Sequence, residues 1–287
     1  MKPAAFEYHR VETVEDALER LGELGEDAKV LAGGQSLVPM MNFRIVRPSA
    51  LVDLSRVPDL AYVARDGDAL RIGALALHRE IEHGDDELLE GFGVLKAAAP
   101  LVGHFPIRAR GTFGGSVAHG DPASEWCILT LLLDGEIVAR APGGERTIPA
   151  ADFFLGFFTT ALEPGEIVSE VRFARPAPHA ALEEFARRHG DFAIVAAAAA
   201  VDTDDGGTCT HARVVIGGVD EVPLRVEAAE AILTGSDLGE EAIEEAARVA
   251  EREVEPSADI HGSAEYRKHL TAVLLRRALR RAVGDEG

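Results

Sequence analysis

Two glycine turns carry the residues of this chain that are best suited to bind a phosphate. Adjacent glycines adopt positive φ without steric cost and, lacking a Cβ, let successive backbone N–H groups point at one spot. A serine hydroxyl and the N-terminus of a following helix strengthen such a site. The first turn consists of Ala32, Gly33, Gly34, Gln35 and Ser36, and the second of Thr112, Phe113, Gly114, Gly115 and Ser116.

Short elements on either side must position these turns. The first turn follows the apolar strand Lys29–Ala32 and precedes Leu37–Met41, which can form a short helix. After the second turn, Asp121 suits an N-cap and Pro122 the first position of a helix that runs to Leu133. A glycine pair is also an ordinary turn between a strand and a helix, so either turn alone is a weak signal. Two such turns in different surroundings favour an anion site.

Other phosphate, metal and nucleophile motifs are absent from the sequence. There is no G-x-G-x-x-G, and none of the four lysines follows a glycine as the P-loop requires. His78 and His83 lack the spacing of a metal pair on one helix face, and no H-E-x-x-H, cysteine cluster or G-x-S-x-G occurs. A Rossmann site, a P-loop nucleotidase, a zinc site and a serine hydrolase are therefore poor interpretations.

Composition indicates a globular protein. The 287 residues include 49 acidic and 29 basic side chains, and the formal charge of -20 opposes binding to nucleic acid or anionic lipid. No apolar run is long enough for a signal peptide or a membrane span, so we expect a cytoplasmic protein. Cys127 and Cys209 are too few to ligate an iron–sulfur cluster, and we expect both to be buried or free thiols.

The periodicity predicts an α+β fold that begins with a two-lobed domain. Residues 1–57 form a small α/β lobe, in which a helix capped by Thr13 ends at Gly25. Residues 58–174 form a larger α+β lobe with two hairpins and a helix over Glu87–Val102. The strands predicted for the small lobe are Phe6–Tyr8, Lys29–Ala32 and Leu51–Asp53, and the last strand of the larger lobe is Glu166–Phe173.

A proline-rich linker, Arg175–Pro178, separates this domain from a C-terminal α+β domain at residues 179–287. A three-stranded antiparallel sheet is predicted there, followed by a helical bundle. The alanine content of its second strand is unusual for a strand. The strands are Leu182–Arg188, Phe192–Val201 and Thr208–Gly217, and the helices are Arg225–Leu233, Glu240–Glu251 and Ser263–Ala282.

The turns and their flanks resemble the FAD-binding signature of the medium subunit of molybdenum hydroxylases, a family that includes carbon monoxide dehydrogenase, quinoline oxidoreductase and xanthine dehydrogenase. The resemblance extends over nearly the whole chain in the order of the family's motifs. Its segments are Ala32–Pro39, Arg108–Pro122, Phe6–Tyr8, Gly165–Val168, Arg187–Ala193 and Asp259–Gly262.

The resemblance implies that both turns, with Leu37, hold the pyrophosphate and ribityl chain of FAD between the two lobes, chiefly through backbone N–H groups. Leu162 and Ile167 match positions that line the adenine or flavin pocket, and Phe192 matches an aromatic position near the isoalloxazine. Each of these three could equally be a core residue. Asp121 could orient Ser36 or the ribityl hydroxyls, or only cap a helix. Neither a catalytic side chain nor a metal ligand is implied.

Four residues depart from the family pattern. Gln35 replaces a histidine of the carbon monoxide dehydrogenase branch and matches the quinoline-oxidising branch. Glu184 stands where some relatives have a lysine near the cofactor, and Pro106 and Ala109 replace polar residues. An N-heteroaromatic or other organic substrate of the complete enzyme is favoured by Gln35, by the segment Glu184–Arg188 and by Asp259–Gly262.

The function implied by the resemblance is that of an FAD-carrying subunit in a heterotrimeric molybdenum hydroxylase. Electrons would pass from two [2Fe-2S] clusters on a small subunit to noncovalent FAD and then to an external acceptor. A large subunit would hold the molybdopterin cofactor, and the complex would be a dimer of heterotrimers. A free-standing FAD oxidoreductase of the same fold and a non-enzymatic scaffold with an acidic binding surface remain alternatives.

Overall fold

The small lobe is an α/β unit built on a parallel sheet. In the computed structural model, which describes residues 1–284, the central strand β3 pairs in parallel with β1 on one side and β2 on the other. Thr13 caps the first helix by accepting a hydrogen bond from Asp16 N, and Gly25 ends it at φ +75°, as predicted. The elements are β1 (Glu7–Arg10), α1 (Val14–Leu24), β2 (Ala28–Leu31), α2 (Leu37–Asn42) and β3 (Ala50–Asp53).

The larger lobe is organised around a five-stranded antiparallel sheet in the order β4-β5-β10-β6-β7. Short helices cover it, and a small hairpin, β8–β9, follows the last of them. The strands are β4 (Val63–Asp66), β5 (Ala69–Gly73), β6 (Glu136–Ala141), β7 (Gly144–Pro149), β8 (Phe154–Gly156), β9 (Thr159–Thr160) and β10 (Ile167–Phe173). The helices are α3 (His78–Glu82), α4 (Gly93–Ala98), α5 (Phe105–Arg108), α6 (Phe113–His119), α7 (Glu125–Leu132) and α8 (Ala150–Phe153).

Two predicted helices of this lobe are shorter than the sequence pattern suggests. The helix expected over Glu87–Val102 is α4 followed by a 3-10 turn at Ala99–Leu101, because Gly91 takes φ +75° before it. The helix expected from Pro122 begins at Glu125 instead. Asp121 does not cap it, because its carboxylate accepts a hydrogen bond from Ala123 N at 2.9 Å and forms a local turn.

The C-terminal part contains the three predicted antiparallel strands, and a fourth strand of two residues extends the sheet. Residues 285–287, at the end of the predicted C-terminal domain, lie outside the described residues. The elements are β11 (Ala180–Phe185), β12 (Val195–Thr203), β13 (Cys209–Gly217), β14 (Leu224–Arg225), α9 (Glu227–Leu233), α10 (Glu240–Glu253) and α11 (Ala264–Ala282). Within residues 1–284, none of the helices has the length and apolar character needed to cross a bilayer.

The alanine-rich strand β12 is buried on both faces. Ala196, Ala198 and Ala200 belong to the core of the larger lobe, whereas Ala197 and Ala199 belong to the core under the C-terminal helices. Small side chains let α7 and α11 approach the sheet closely from opposite sides. The C-terminal sheet therefore packs directly on α7, all of whose residues are buried.

Candidate FAD-binding site

The first turn presents a run of unbonded backbone donors. Gly34 adopts φ +71°, which reverses the chain between β2 and α2. The side-chain amide of Gln35 donates to the Gly33 carbonyl at 2.9 Å and closes the turn. Among residues 1–284, no acceptor is hydrogen-bonded to the N–H groups of residues 33–37. Consecutive N–H groups around a left-handed residue form a concave anion site.

The second glycine turn forms the N-terminal end of helix α6, and its backbone N–H groups already donate hydrogen bonds within the protein. Thr112 Oγ1 accepts from Gly115 N at 3.1 Å, and the Thr112 carbonyl accepts from Ser116 N at 3.1 Å. Phe113 N and Gly114 N donate to the carbonyls of residues 76 and 74, at 2.9 and 3.0 Å. The expectation of several free N–H groups in this turn is therefore wrong, because the segment lies against the chain that follows β5.

Gly114 is required for packing and not for positive φ. Its backbone is helical, and a Cβ at this position would lie 2.5 Å from Ala74 Cα. The prediction of positive φ is confirmed at Gly34 but wrong at Gly114. Only glycine allows the second turn to approach the chain after β5 this closely.

The two turns touch each other. A Cβ on Gly33 would lie 2.3 Å from the Arg110 carbonyl oxygen and 2.7 Å from Gly111 Cα. A Cβ on Gly115 would lie 3.4 Å from Ala32 Cβ. Although about 80 residues separate them in the chain, the fold brings both glycine turns into one place, and the contact depends on the missing side chain of Gly33.

A buried histidine supports the second turn from behind. His78 N donates to the Gly111 carbonyl at 3.1 Å, and Trp126 Nε1 donates to His78 Nδ1 at 2.9 Å. Burial, together with the nearby Arg108 charge, lowers the pKa of His78 to about 4, so the imidazole is neutral and accepts this bond. His78 was not predicted to have this role, because its partners lie far away in sequence.

Arg108 holds the loop that leads into the second turn. Its side chain is 10% exposed and binds Glu82 through Nε at 2.8 Å and the Gly103 carbonyl through Nη1 at 2.8 Å. The hydrogen bond from Arg108 lowers the pKa of Glu82. Arg110 is exposed, and its carbonyl packs against Gly33.

The remaining predicted site residues lie in different surroundings. Ile167 is 2% exposed, within the same small-lobe core against which Ala32 packs. Leu162 is half-buried against the core of the larger lobe. Phe192 is 71% exposed and is absent from both cores. The loop that contains Phe192 approaches the start of α5, which precedes the second turn, since a Cβ on Gly190 would lie 2.2 Å from His104 Nδ1.

Concave surfaces alone would not identify this site. Two grooves, of about 390 and 650 Å³, are lined by other elements, including Arg71 and Arg172 in the first and Leu18 and Arg140 in the second. The site is distinguished instead by the unbonded backbone N–H groups of the first turn. Within the described part of the chain, no group of three or more His, Cys, Asp or Glu side chains is placed to hold a metal ion.

Comparison with known families matches both parts of the chain. The family described as "FAD binding domain in molybdopterin dehydrogenase" matches residues 4–176. The family described as "CO dehydrogenase flavoprotein C-terminal domain" matches residues 180–282. The two matches together cover nearly the whole chain.

Full-length relatives and solved structures agree with these matches. The chain is 41% identical to the 6-hydroxypseudooxynicotine dehydrogenase complex subunit alpha of Paenarthrobacter nicotinovorans, covering 99% of this chain and 96% of the relative. It is 38% identical to the carbon monoxide dehydrogenase medium chain of Afipia carboxidovorans, covering 98% of each.

Among solved structures, carbon monoxide dehydrogenase from Hydrogenophaga pseudoflava matches with a TM-score of 0.95 and 37% identity, covering 99% of both chains. Quinoline 2-oxidoreductase from Pseudomonas putida matches with a TM-score of 0.94 and 35% identity over the full length of both. These matches confirm the resemblance drawn from the two glycine turns. The chain belongs to the FAD-binding medium subunits of the molybdenum hydroxylases.

Proposed function

We propose that this chain binds one FAD noncovalently and relays electrons from [2Fe-2S] clusters on a partner subunit to an external acceptor. The observation that carries the proposal is the run of unbonded N–H groups at residues 33–37, set against the second turn. A pyrophosphate offers acceptor oxygens to such donors, and an anion at this concave backbone replaces the missing hydrogen bonds.

The residues around the turns fit the rest of the cofactor. We assign the pyrophosphate to Gly33, Gly34, Gln35 and Ser36, with Ala32 and Leu37 at the ends of the cradle. Thr112, Phe113, Gly114, Gly115 and Ser116 form the opposite wall. Asp121 is assigned to the ribityl chain, Leu162 and Ile167 to the adenine or flavin pocket, and Phe192 to the isoalloxazine.

The protein's contribution is to hold and orient this group. Bound FAD supplies the electron-carrying chemistry, whereas the chain fixes its position and excludes water from one side. Gln35 braces the first turn, and the pair of His78 and Trp126 fixes the second. The proposal requires no side chain of this subunit to act as a catalytic acid or base on the substrate.

The two cysteines support a division of cofactors among subunits. Cys127 and Cys209 are both buried free thiols, and a [2Fe-2S] cluster needs about four protein ligands. The clusters would then lie on another chain, and the family resemblance implies two [2Fe-2S] clusters on a small subunit, the molybdopterin cofactor on a large subunit and a dimer of heterotrimers. Reduced, buried thiols also support a cytoplasmic location.

The proposed substrate of the complete enzyme is an N-heteroaromatic or other organic molecule. Gln35 and the segments from Glu184 and Asp259 support this choice, and the relative with 41% identity is named for an organic substrate. Activity of the assembled complex on carbon monoxide alone, with no turnover of heteroaromatics or aldehydes, would refute it.

Copurification and spectroscopy test the functional proposal. We expect a tagged chain, expressed together with the genes that lie next to its own, to purify with molybdenum and iron–sulfur subunits. The bound flavin should then be reduced when substrate is added to the complex. A yellow chain that oxidises a small substrate without partners would indicate a free-standing oxidoreductase, and a chain that never binds flavin would indicate a scaffold.

A further inference from the structure

Two carboxyl groups that interact through their charges lie near the contact between the larger lobe and the C-terminal sheet. Glu125 is the first residue of α7, and Glu184 lies on β11. The second turn is tied to this place by Ser116 Oγ, which lies 2.8 Å from Ser124 Oγ, immediately before Glu125. Any charge on this pair therefore acts close to the proposed cofactor site.

Within residues 1–284, neither carboxyl has a hydrogen-bond or ion-pair partner on another residue. Glu125 is 9% exposed, and the one donor to its carboxyl is its own backbone N–H. One carboxyl oxygen of Glu184 is fully buried without a hydrogen-bond donor. A buried carboxylate without a donor or cation is strongly disfavoured, so the group keeps its proton instead.

The shifts in pKa agree with this geometry. Burial, together with the negative charges of Glu184 and Asp121, raises the pKa of Glu125 to about 8. Burial raises the pKa of Glu184 to about 7 and also raises the pKa of Asp121. At neutral pH the pair therefore holds at least one proton.

Other titratable groups around the pair do not supply a positive charge. Burial lowers the pKa of His119 and raises that of Cys127, so the imidazole and the thiol are both neutral. Alanines of β12 face α7 from the sheet. Three cations on the neighbouring elements have carboxylate partners of their own: Arg213 pairs with Asp134 and Asp202, Lys96 with Asp86, and Arg267 with Asp259. Arg187 and Arg188, which follow β11, are exposed to solvent.

The two turns themselves contain no cationic side chain, and the neighbouring Arg110 is exposed to solvent. Residues 32–37 and 112–116 contain neither lysine nor arginine. FAD brings the two negative charges of its pyrophosphate to this place, and a nearby negative charge raises the pKa of a carboxyl group. Ionised Glu125 and Glu184 would repel the pyrophosphate of FAD, whereas the protonated, neutral side chains would not.

We propose that Glu125 and Glu184 form a proton-holding pair that makes FAD binding proton-linked, so that the chain takes up a proton when the cofactor binds. This inference rests on the proposed function, because it assumes that the pyrophosphate lies at the two turns. The pair acts through its charge and needs no contact with the flavin ring.

Calorimetric titration of the flavin-free full chain with FAD tests the proposal. Measurements in buffers of different ionisation enthalpy give the number of protons taken up at each pH. In the wild-type chain we expect little uptake near pH 6, where both acids are already protonated, and uptake approaching one proton near pH 8. The Kd should then rise with pH by up to about tenfold per unit.

Matched variants separate this pair from other groups. Glu184→Gln and Glu125→Gln mimic the protonated acid and should each reduce both the uptake and the pH dependence of Kd. Glu183→Gln is the control, because Glu183 is the preceding residue on β11 and pairs with Arg281 at 2.9 Å on the opposite face. It should behave as the wild type.

Absence of proton uptake by the wild-type chain between pH 6 and 9, while FAD still binds, overturns the inference. Uptake that persists unchanged in Glu184→Gln and Glu125→Gln also overturns it. If Glu125→Gln does not fold, the titrations of the wild type and of Glu184→Gln still show whether the pair supplies the proton uptake. Failure of FAD to bind at any pH would instead refute the proposed function.

Discussion

Replacing Gly34 by valine should abolish tight FAD binding while leaving the fold largely intact. Gly34 has φ +71°, and a Cβ there would lie 3.0 Å from Leu31 Cδ1 and 3.3 Å from Val38 Cγ2. An L-residue in this left-handed region costs about 1–2 kcal/mol, and a β-branched residue fits it poorly. The turn relieves the strain by changing its backbone, and the N–H groups of Gln35 and Ser36 then no longer converge.

The expected loss follows from the hydrogen bonds that the turn would give up. A hydrogen bond to a charged group contributes about 1.5–3 kcal/mol, so two bonds to the pyrophosphate amount to about 3–6 kcal/mol. This corresponds to a Kd raised by about 10²- to 10⁴-fold. The estimate uses only the first turn, because the donors of the second are bonded within the protein.

Gly67→Val is the matched control. Gly67 lies in the β4–β5 hairpin of the same FAD domain at φ +61°, and no atom lies within 4 Å of its added Cβ. Both variants place a β-branched residue at positive φ, but only Gly34→Val adds close side-chain contacts, so thermal unfolding should show a loss of stability in both and a larger one in Gly34→Val. Flavin fluorescence titration should show weak binding for Gly34→Val and wild-type binding for Gly67→Val. Wild-type Kd values in both variants would refute the assignment of the first turn.

Three further predictions concern the second turn and its surroundings. Gly114→Val should lower both the stability of the chain and its affinity for FAD, because the added Cβ would lie 2.5 Å from Ala74 Cα. A purified, stable variant with full flavin content would contradict this prediction. Trp126→Phe should lower the free energy of unfolding by about 1–3 kcal/mol, since His78 Nδ1 loses its buried donor, and denaturant unfolding measures it. The folded-state pKa of Glu125, about 8, exceeds its ordinary value of 4.5, so its ionisation destabilises the fold as pH rises between these values. Glu125→Gln should therefore gain stability over the wild type by up to about 1.4 kcal/mol per pH unit in that window, and equal pH profiles of Tm would contradict the shift.

Local sequence signals predicted the first turn well. The glycine pair after an apolar strand, the left-handed conformation of Gly34 and the short helix after Ser36 are all local properties of the chain. The capped helix α1 was predicted for the same reason. The family match and the mixed helix and sheet fold agree with that analysis.

Features that depend on distant residues were not predictable from the same patterns. The donors of the second turn are used by carbonyls at residues 74 and 76, and nothing near Gly114 in sequence indicates that contact. The supporting role of His78 likewise depends on Trp126, 48 residues away. The alanines of β12 are explained only by helices that pack on both faces of the sheet.

The roles of individual site residues remain predictions of the family resemblance. The structure brings the first turn, the second turn and the small-lobe core around Ile167 together. It leaves Phe192 exposed on a loop, and its assignment to the isoalloxazine depends on the bound cofactor. Asp121 lies two residues after the end of α6, where its carboxylate shapes a local turn instead of capping α7.

The flavin content of the purified full chain tests the central claim most directly. After reconstitution with FAD and removal of unbound cofactor, acid precipitation should release one FAD per chain into the supernatant, since the proposed binding is noncovalent. The Gly34→Val chain should release almost none under the same conditions. A wild-type chain without stoichiometric FAD, or with flavin that stays in the protein pellet, would contradict the account.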